Sequence, residues 1–361
     1  MNGPLPPGST IGIIGGGQLG RMLAMAAARL GYRTIVLEPQ ADCPAAQVTN
    51  RQIVAAYDDP QALGELGRTC DIVTYEFENV PVGAAAALAS RAEVSPPPMA
   101  LEVSQDRLVE KNFLNAARIS TTNFRAIDSD ADLIAACEAF GGSGVLKTRR
   151  MGYDGKGQRV LRGATSGDLA GVYATMDGVP LIFESLIPFE REISVIGARG
   201  RDGTVRCYDP VENVHREGIL HTSTVPARVS GPTAEAAKIA ATTILTELRY
   251  VGVIGVEFFV LKDGNLLVNE IAPRVHNSGH WTEAACAVSQ FEQHIRAVAG
   301  LPLGDPSRHS DCVMENLIGD DVNRLAELAA QPDTVIHLYG KAQARPGRKM
   351  GHFTRLLGPK S

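Results

Sequence analysis

The segment GVEFFVLKDGNLLVNEI, residues 255–271, decides how this chain is read, because its turn sets two carboxylates face to face. Apolar and β-branched runs flank Asp263 and Gly264, a dipeptide that favours a two-residue hairpin turn. Such a turn pairs Lys262 with Asn265 and, counting outward, Glu257 with Glu270. Directly opposed residues on antiparallel strands hold their Cβ atoms about 4.5–5.5 Å apart, where like charges are destabilising. Two glutamates so placed need a cation between or beside them. Hard oxygen donors suit Mg2+, which shares its shell with water and substrate phosphates. The competing reading is a slipped register that leaves one glutamate in solvent. Asn269 faces the other side of a regular strand, so it joins the pair as a ligand only through a bulge.

The sequence on either side adds further polar chemistry. Directly after the hairpin, APRVHNSGHW (272–281) crowds Arg274, His276, Asn277, Ser278 and His280 into a loop that offers donors for a carboxylate, bicarbonate or phosphate. Upstream, LKTRRMGYDGKGQRV (146–160) interleaves basic residues with Gly152, Gly155 and Gly157 after a short strand. A cationic glycine loop of this kind folds over a polyphosphate, its N–H groups on oxygens and Lys147 beside them, unless it is only a solvated hairpin tip. Downstream, LYGKAQARPGRKMGHFTR (338–355) carries Lys341, Arg345, Arg348, Lys349 and Arg355 with no acid, which suits a phosphomonoester. Base stacking on nucleic acid requires aromatics interleaved among the cations, and here Tyr339 and Phe353 stand only near the ends of the stretch.

The first hundred residues alternate strand and helix patterns: IGIIGG before a helix over 19–30, TIVLEP, IVAAYDD before a helix from Pro60, and DIVTYEFE before a helix that Pro81 opens. Alternation of this kind implies a parallel α/β sheet. Gly15, Gly17 and Gly20 form GxGxxG at the first strand–helix junction, with Glu38 at the end of the next strand. Alone, this reads as the fingerprint of a dinucleotide-binding oxidoreductase, as a turn for any phosphate or small ligand, or as packing alone. Gln18 points into the same space. The remainder reads as α+β, with hairpins from Arg191 onward.

Length and charge set the bounds. A chain of 361 residues forms two or three domains at roughly 100–200 residues each. With 35 Lys and Arg against 40 Asp and Glu, the net charge of -5 gives no overall pull toward nucleic acid. No apolar run approaches the ~18 residues of a membrane span. The six cysteines, none within CxxC spacing of another, point to reduced thiols in the cytoplasm and to neither a zinc cluster nor a disulfide framework.

Six stretches in order, GGGQLGRM (15–22), YEFENVP (75–81), GYDGKGQ (152–158), NEIAPRVHNSGHWT (269–282), SQFEQH (289–294) and YGKAQARPGRKMGH (339–352), resemble the ATP-grasp superfamily. Within it they are similar to the 5-(carboxyamino)imidazole ribonucleotide synthase family. The Gly/Pro-rich residues 1–10 read as a flexible tail, a departure from the family pattern. The resemblance implies a Rossmann-like (pre-ATP-grasp) substrate domain over 11–104 and an ATP-grasp lid subdomain over 105–190. It further implies a metal and nucleotide subdomain over 191–300 and a small C-terminal region over 301–361. It implies ATP-dependent carboxylation of aminoimidazole ribonucleotide by bicarbonate, through carboxyphosphate, in purine biosynthesis, by a cytoplasmic homodimer that uses Mg2+ and no nicotinamide. By the same resemblance ATP meets Arg107, Lys147, Gly152, Tyr153, Asp154, Gly155, Lys156, Gly157, Gln158, Glu184, Ser185, Leu186, Ile187, Glu192, His215, Asn269 and Glu270. Glu257 and Glu270 hold the metal. Gln18, Glu76, Tyr153, Asp154, Lys156, Arg274, His276, Asn277, Ser278, Lys341 and Arg348 serve the ribonucleotide or bicarbonate. His276 and Asp154 both stand open as acceptors of the substrate amine's proton. The competing functions are another ATP-grasp ligase, such as a formate-dependent glycinamide ribonucleotide transformylase, a nicotinamide-dependent oxidoreductase, or a phosphate-binding module without turnover.

Overall fold

The computed structural model describes residues 3–152 and 157–360, so Tyr153, Asp154, Gly155 and Lys156 lie outside the described residues. Among the described residues the strands form three sheets. The first is the parallel sheet that the β/α alternation predicts: β1 (Thr10–Ile14), β2 (Arg33–Leu37), β3 (Arg51–Ile53) and β4 (Ile72–Tyr75), in the order β3-β2-β1-β4. Helix Gln18–Arg29 leaves β1 through the glycine turn, burying Leu19, Met22, Leu23, Ala26 and Ala27 at helical spacing.

The second sheet is antiparallel and joins β5 (Phe124–Ile127), β6 (Gly144–Thr148), β7 (Gln158–Leu161) and β8 (Leu181–Ser185) in the order β5-β8-β6-β7. Between the first two sheets runs helix Arg107–Ala116, whose N-cap Asp106 accepts the N–H groups of Leu108 and Val109. Arg149, just after β6, grips the same carboxylate through Nε at 3.0 Å and Nη2 at 2.7 Å, tying the second sheet to that helix start.

The third sheet holds β9 (Phe189–Arg199), β10 (Val205–Cys207), β11 (Val211–Arg216), β12 (Ile219–Val225), β13 (Gly252–Leu261), β14 (Leu266–Ala272), β15 (Ser310–Ile318), β16 (Thr334–Leu338) and β17 (Lys349–Pro359). Their order is β14-β13-β9-β11-β12-β15-β17-β16, with β10 beside β9. The strands beyond Leu301 therefore continue the same sheet that carries Glu257 and Glu270. Local alternation reveals a strand but not the edge it joins, which long-range burial decides.

Two expectations are corrected. The tail before β1 is packed, not loose, over its described part: Leu5 is buried in the core with Leu23, Phe291 and Ile295. Its N–H donates to Ala299 O at 2.8 Å, and the Tyr32 hydroxyl donates to its carbonyl. A single leucine amid prolines is enough to anchor the segment. The hairpin turn is also different. Leu261 N–H donates to Asn265 O, leaving a three-residue loop, Lys262 to Gly264, with Gly264 at φ +84°. The strands then pair Phe258 with Val268, one position off the expected register, until a bulge inserts Asn269 and Glu257 comes opposite Glu270.

Candidate functional site

The three sheets meet around one cleft of about 860 Å3. The central sheet supplies Glu192 from β9, His215 from β11, Glu257 from β13, and Asn269 and Glu270 from β14. The second sheet supplies Lys147 and Gln158, the helix after Asp106 supplies Arg107, and Gly152 stands at the edge. Gln18 and Glu76 come from the first sheet, Arg274, His276 and Asn277 from the loop after β14, and Lys341 and Arg348 from the segment between β16 and β17. Gly157, Glu184, Ser185, Leu186, Ile187 and Ser278 do not line this cleft. Glu184 turns into the protein, and Ser278 lies buried behind His276.

The bulge brings Asn269 beside Glu270 on the cleft side. Asn269 Oδ1 is buried and accepts no hydrogen bond among the described residues, a costly state for an amide oxygen. Arg107 Nη1 donates to Glu270 Oε2 at 2.9 Å. Burial disfavours the charge on Glu270, but Arg107 outweighs it and holds this carboxyl below the usual range. Burial and the facing Glu270 push the Glu257 carboxyl up to about 7. Glu257, Glu270 and the orphaned Asn269 oxygen thus form a set of hard oxygen donors with too little positive charge among them, which fits a Mg2+ ion.

Arg107, Glu110 and Lys111 share a helix face at i, i+3 and i+4. Glu110 was not picked out by sequence reasoning, although that spacing was the available signal. It lines the cleft, accepts Ile271 N–H at 2.6 Å, and is pushed by burial up to about 8. Lys111 and Lys147 both reach Glu184 Oε2, at 3.3 and 3.2 Å. Burial opposes the charge on Glu184, yet Lys147, Lys111 and Arg107 hold it at about 2, and its Oε1 has no partner among the described residues. Val145, Val160, Phe189 and Phe259 add an apolar wall, with the two phenylalanine rings 4.6 Å apart. No polar motif marked these residues.

Across the cleft, Arg274 pairs through Nε with Glu78, which it holds at about 2 against the effect of burial. His276 is held down to about 3 by burial and by Arg274. Asn277 exchanges amide hydrogen bonds with Asn316 at 3.0 and 2.9 Å. Lys341, Arg345 and Arg348 also border a recess of about 370 Å3 with Gln40 and Gln47, a cationic end suited to a phosphate.

The glycine turn is occupied by the protein itself. Glu76 accepts Gly17 N–H at 2.6 Å and Gly20 N–H at 2.8 Å, while Glu38 accepts Gly16 N–H at 2.9 Å and the Tyr57 hydroxyl at 2.6 Å. The amides that a pyrophosphate would need already hold carboxylates, and a phosphate there would meet like charge. This overturns the dinucleotide reading of the turn. Elsewhere, ligand atoms of Glu283, His337 and His352 lie within 4.8 Å of one another. His337 Nδ1 pairs with Glu283 at 3.2 Å and His352 Nδ1 with the Tyr339 hydroxyl at 2.9 Å, and none of the three clustered groups lines the cleft.

Known proteins match this architecture along its length. A ribonucleotide synthetase preATP-grasp domain model matches residues 9–105, an ATP-grasp domain model residues 112–291, and a phosphoribosylaminoimidazole carboxylase C-terminal domain model residues 312–358. The N5-carboxyaminoimidazole ribonucleotide synthase of Brucella melitensis is 64% identical over 352 residues, 98% of this chain and 97% of that protein. The crystal structure of an ADP complex of an N5-carboxyaminoimidazole ribonucleotide synthetase superposes with a TM-score of 0.94 at 41% identity, covering 99% of this chain and 94% of the other. The Aspergillus clavatus N5-carboxyaminoimidazole synthase, in complex with ADP and 5-aminoimidazole ribonucleotide, gives 0.91 at 32% identity over 98% and 94%.

Proposed function

The chain belongs to the N5-carboxyaminoimidazole ribonucleotide synthase family of ATP-grasp ligases, and we propose from this that it joins bicarbonate to the exocyclic amine of 5-aminoimidazole ribonucleotide at the expense of ATP. The products are the carboxyamino ribonucleotide, ADP and phosphate, within purine biosynthesis. The observation that carries this reading is the single cleft in which two opposed carboxylates, a cationic phosphate-binding side and a second cationic end for a ribonucleotide phosphate all face one space.

Bicarbonate is a poor electrophile, so its oxygen first takes the γ-phosphoryl group to give carboxyphosphate, and the amine nitrogen then attacks its carbon as phosphate leaves. Glu257, Glu270 and Asn269 would hold Mg2+, which supplies Lewis-acid stabilisation of charge on the transferring phosphoryl group. Lys147 and Arg107 add fixed positive charge beside the same oxygens. Val145, Val160, Phe189 and Phe259 take the adenine, and Glu192 and His215, joined at 2.6 Å, stand where the ribose would lie. Arg274, held by Glu78, orients bicarbonate with His276 and Asn277. Lys341 and Arg348 take the ribonucleotide phosphate, with Gln18 and Glu76 on the sugar and base. Exclusion of water from the cleft keeps carboxyphosphate from hydrolysis. We further propose that the protein works as a cytoplasmic homodimer. Among the described residues no helix is long and apolar enough to cross a membrane, and the cysteines are free thiols.

Phosphate release by the purified protein tests the reading. Release that requires ATP, Mg2+, bicarbonate and aminoimidazole ribonucleotide together is expected. Release indifferent to the ribonucleotide, or supported only by formate and glycinamide ribonucleotide, would overturn it.

A further inference from the structure

We propose that Ser194, Asn213 and Ser223 are positioning residues. Their buried side chains form a hydrogen-bonded ladder that ends on Ser278 and fixes the His276 imidazole with its proton on Nε2, so that His276 serves the cleft as a donor and not as the acceptor of the amine proton. The inference rests on the proposed function for the meaning of that donor, but not for its existence.

The ladder crosses three neighbouring strands behind the cleft. Ser223 Oγ on β12 donates to Asn213 Oδ1 on β11 at 2.8 Å. Asn213 Nδ2 donates to Ser194 Oγ on β9 at 2.9 Å. Ser194 Oγ donates to Ser278 Oγ at 2.6 Å, and Ser278 Oγ lies 2.8 Å from His276 Nδ1. Ser194, Asn213, Ser223 and Ser278 are all buried, so each polar atom depends on the next. With the amide hydrogen of Asn213 on Ser194, the Ser194 proton goes to Ser278 and the Ser278 proton goes to Nδ1.

A second observation sets the same direction however the Asn213 amide is turned. The backbone N–H of Ser278 also points at His276 Nδ1, at 3.4 Å, and a backbone N–H can only donate. A ring nitrogen that receives two donors bears the lone pair. The ring is then neutral, and its hydrogen sits on Nε2. Gln290 clamps the backbone on either side of the ring, accepting His276 N–H at 2.9 Å and donating to His276 O at 2.7 Å. Nε2 lies 3.6 Å from Glu257 Oε1, at the carboxylate end of the cleft. An N–H held there stabilises an oxyanion as charge develops on it. It has no lone pair to receive a proton from the substrate amine. Of the two acceptors open from the sequence, His276 and Asp154, this removes His276.

The test is nuclear magnetic resonance of the full chain labelled with 15N-histidine, without substrates, with His276→Gln identifying the resonances of residue 276. At neutral pH the expected pattern is a lone-pair shift for Nδ1 and a protonated shift for Nε2. The reverse pattern, or two protonated nitrogens, overturns the proposal whatever the enzyme's activity. In Asn213→Val the His276 ring shifts should move toward a mixture of tautomers while the KM for ATP stays within twofold of the wild-type value. Unchanged ring shifts in a folded Asn213→Val protein would remove the ladder's part, and Ser194→Ala repeats the measurement if that variant does not fold. In turnover, His276→Gln, whose amide N–H stands near the position of Nε2, should keep at least about tenfold more kcat than His276→Asn, as one retained hydrogen bond predicts. Equal losses contradict a donor role.

Discussion

At the first glycine turn and in the central sheet the chain brings two glutamates together, and the two places end differently. At the first turn Glu76 and Glu38 take the N–H groups of Gly16, Gly17 and Gly20. In the central sheet Glu257 and Glu270 face each other across a bulge, with Arg107 on Glu270 and, next to Glu270, an Asn269 oxygen that has no partner among the described residues. The first pair takes the backbone N–H groups of its turn, so the turn has none of them left for a phosphate. The second is short of positive charge, so it is open to a metal and to the anions a metal brings. Carboxylates become a metal site where the fold leaves them undersupplied with donors.

The largest test of that contrast is Glu270→Gln. It should lower kcat on the order of 10³-fold, as loss of a preorganised electrostatic group does, with the protein still folded by circular dichroism. Activity within tenfold of wild type would place the metal elsewhere. At the first turn the expected damage is to stability. A Cβ on Gly20 would sit 2.6 Å from Gly15 O, so Gly20→Ala should cost about 1–3 kcal/mol in denaturant unfolding. An unchanged midpoint would mean that this turn is not tightly packed.

The raised Glu257 carboxyl makes the second pair sensitive to pH. A metal ligand must be ionised, so Mg2+ affinity should weaken by roughly tenfold for each unit below about 7 and level off above it. Titration of Mg2+-dependent ATP protection at several pH values checks this, and Glu257→Gln should flatten the profile. The sign for stability is opposite. An acid raised in the folded state is ionised first in the unfolded chain, so metal-free protein should lose stability as pH rises from about 4.5 to about 7. The smallest effect belongs to Glu38→Gln. Its charge-assisted bonds to Gly16 and Tyr57 weaken but remain possible, so a loss of about 1 kcal/mol is expected with kcat nearly unchanged.

Periodicity and residue order in the sequence determined the parallel β/α layer, the hairpin and the facing of Glu257 with Glu270. These follow from local alternation and from turn residues a few positions apart. The register was reached by two departures that cancel: a three-residue loop shifts the pairing by one, and the bulge at Asn269 shifts it back. A glycine turn alone did not tell whether its amides hold a ligand, since Glu76 arrives from 59 positions away and Glu38 from 22. Only the tertiary structure decided that, together with the burial of Leu5, the joining of β15, β16 and β17 to the central sheet, and the ladder behind His276. The physical reason is common to all of them. A side chain's type and near neighbours are written in sequence, but whether a buried polar atom finds a partner depends on groups that only packing brings within hydrogen-bond reach.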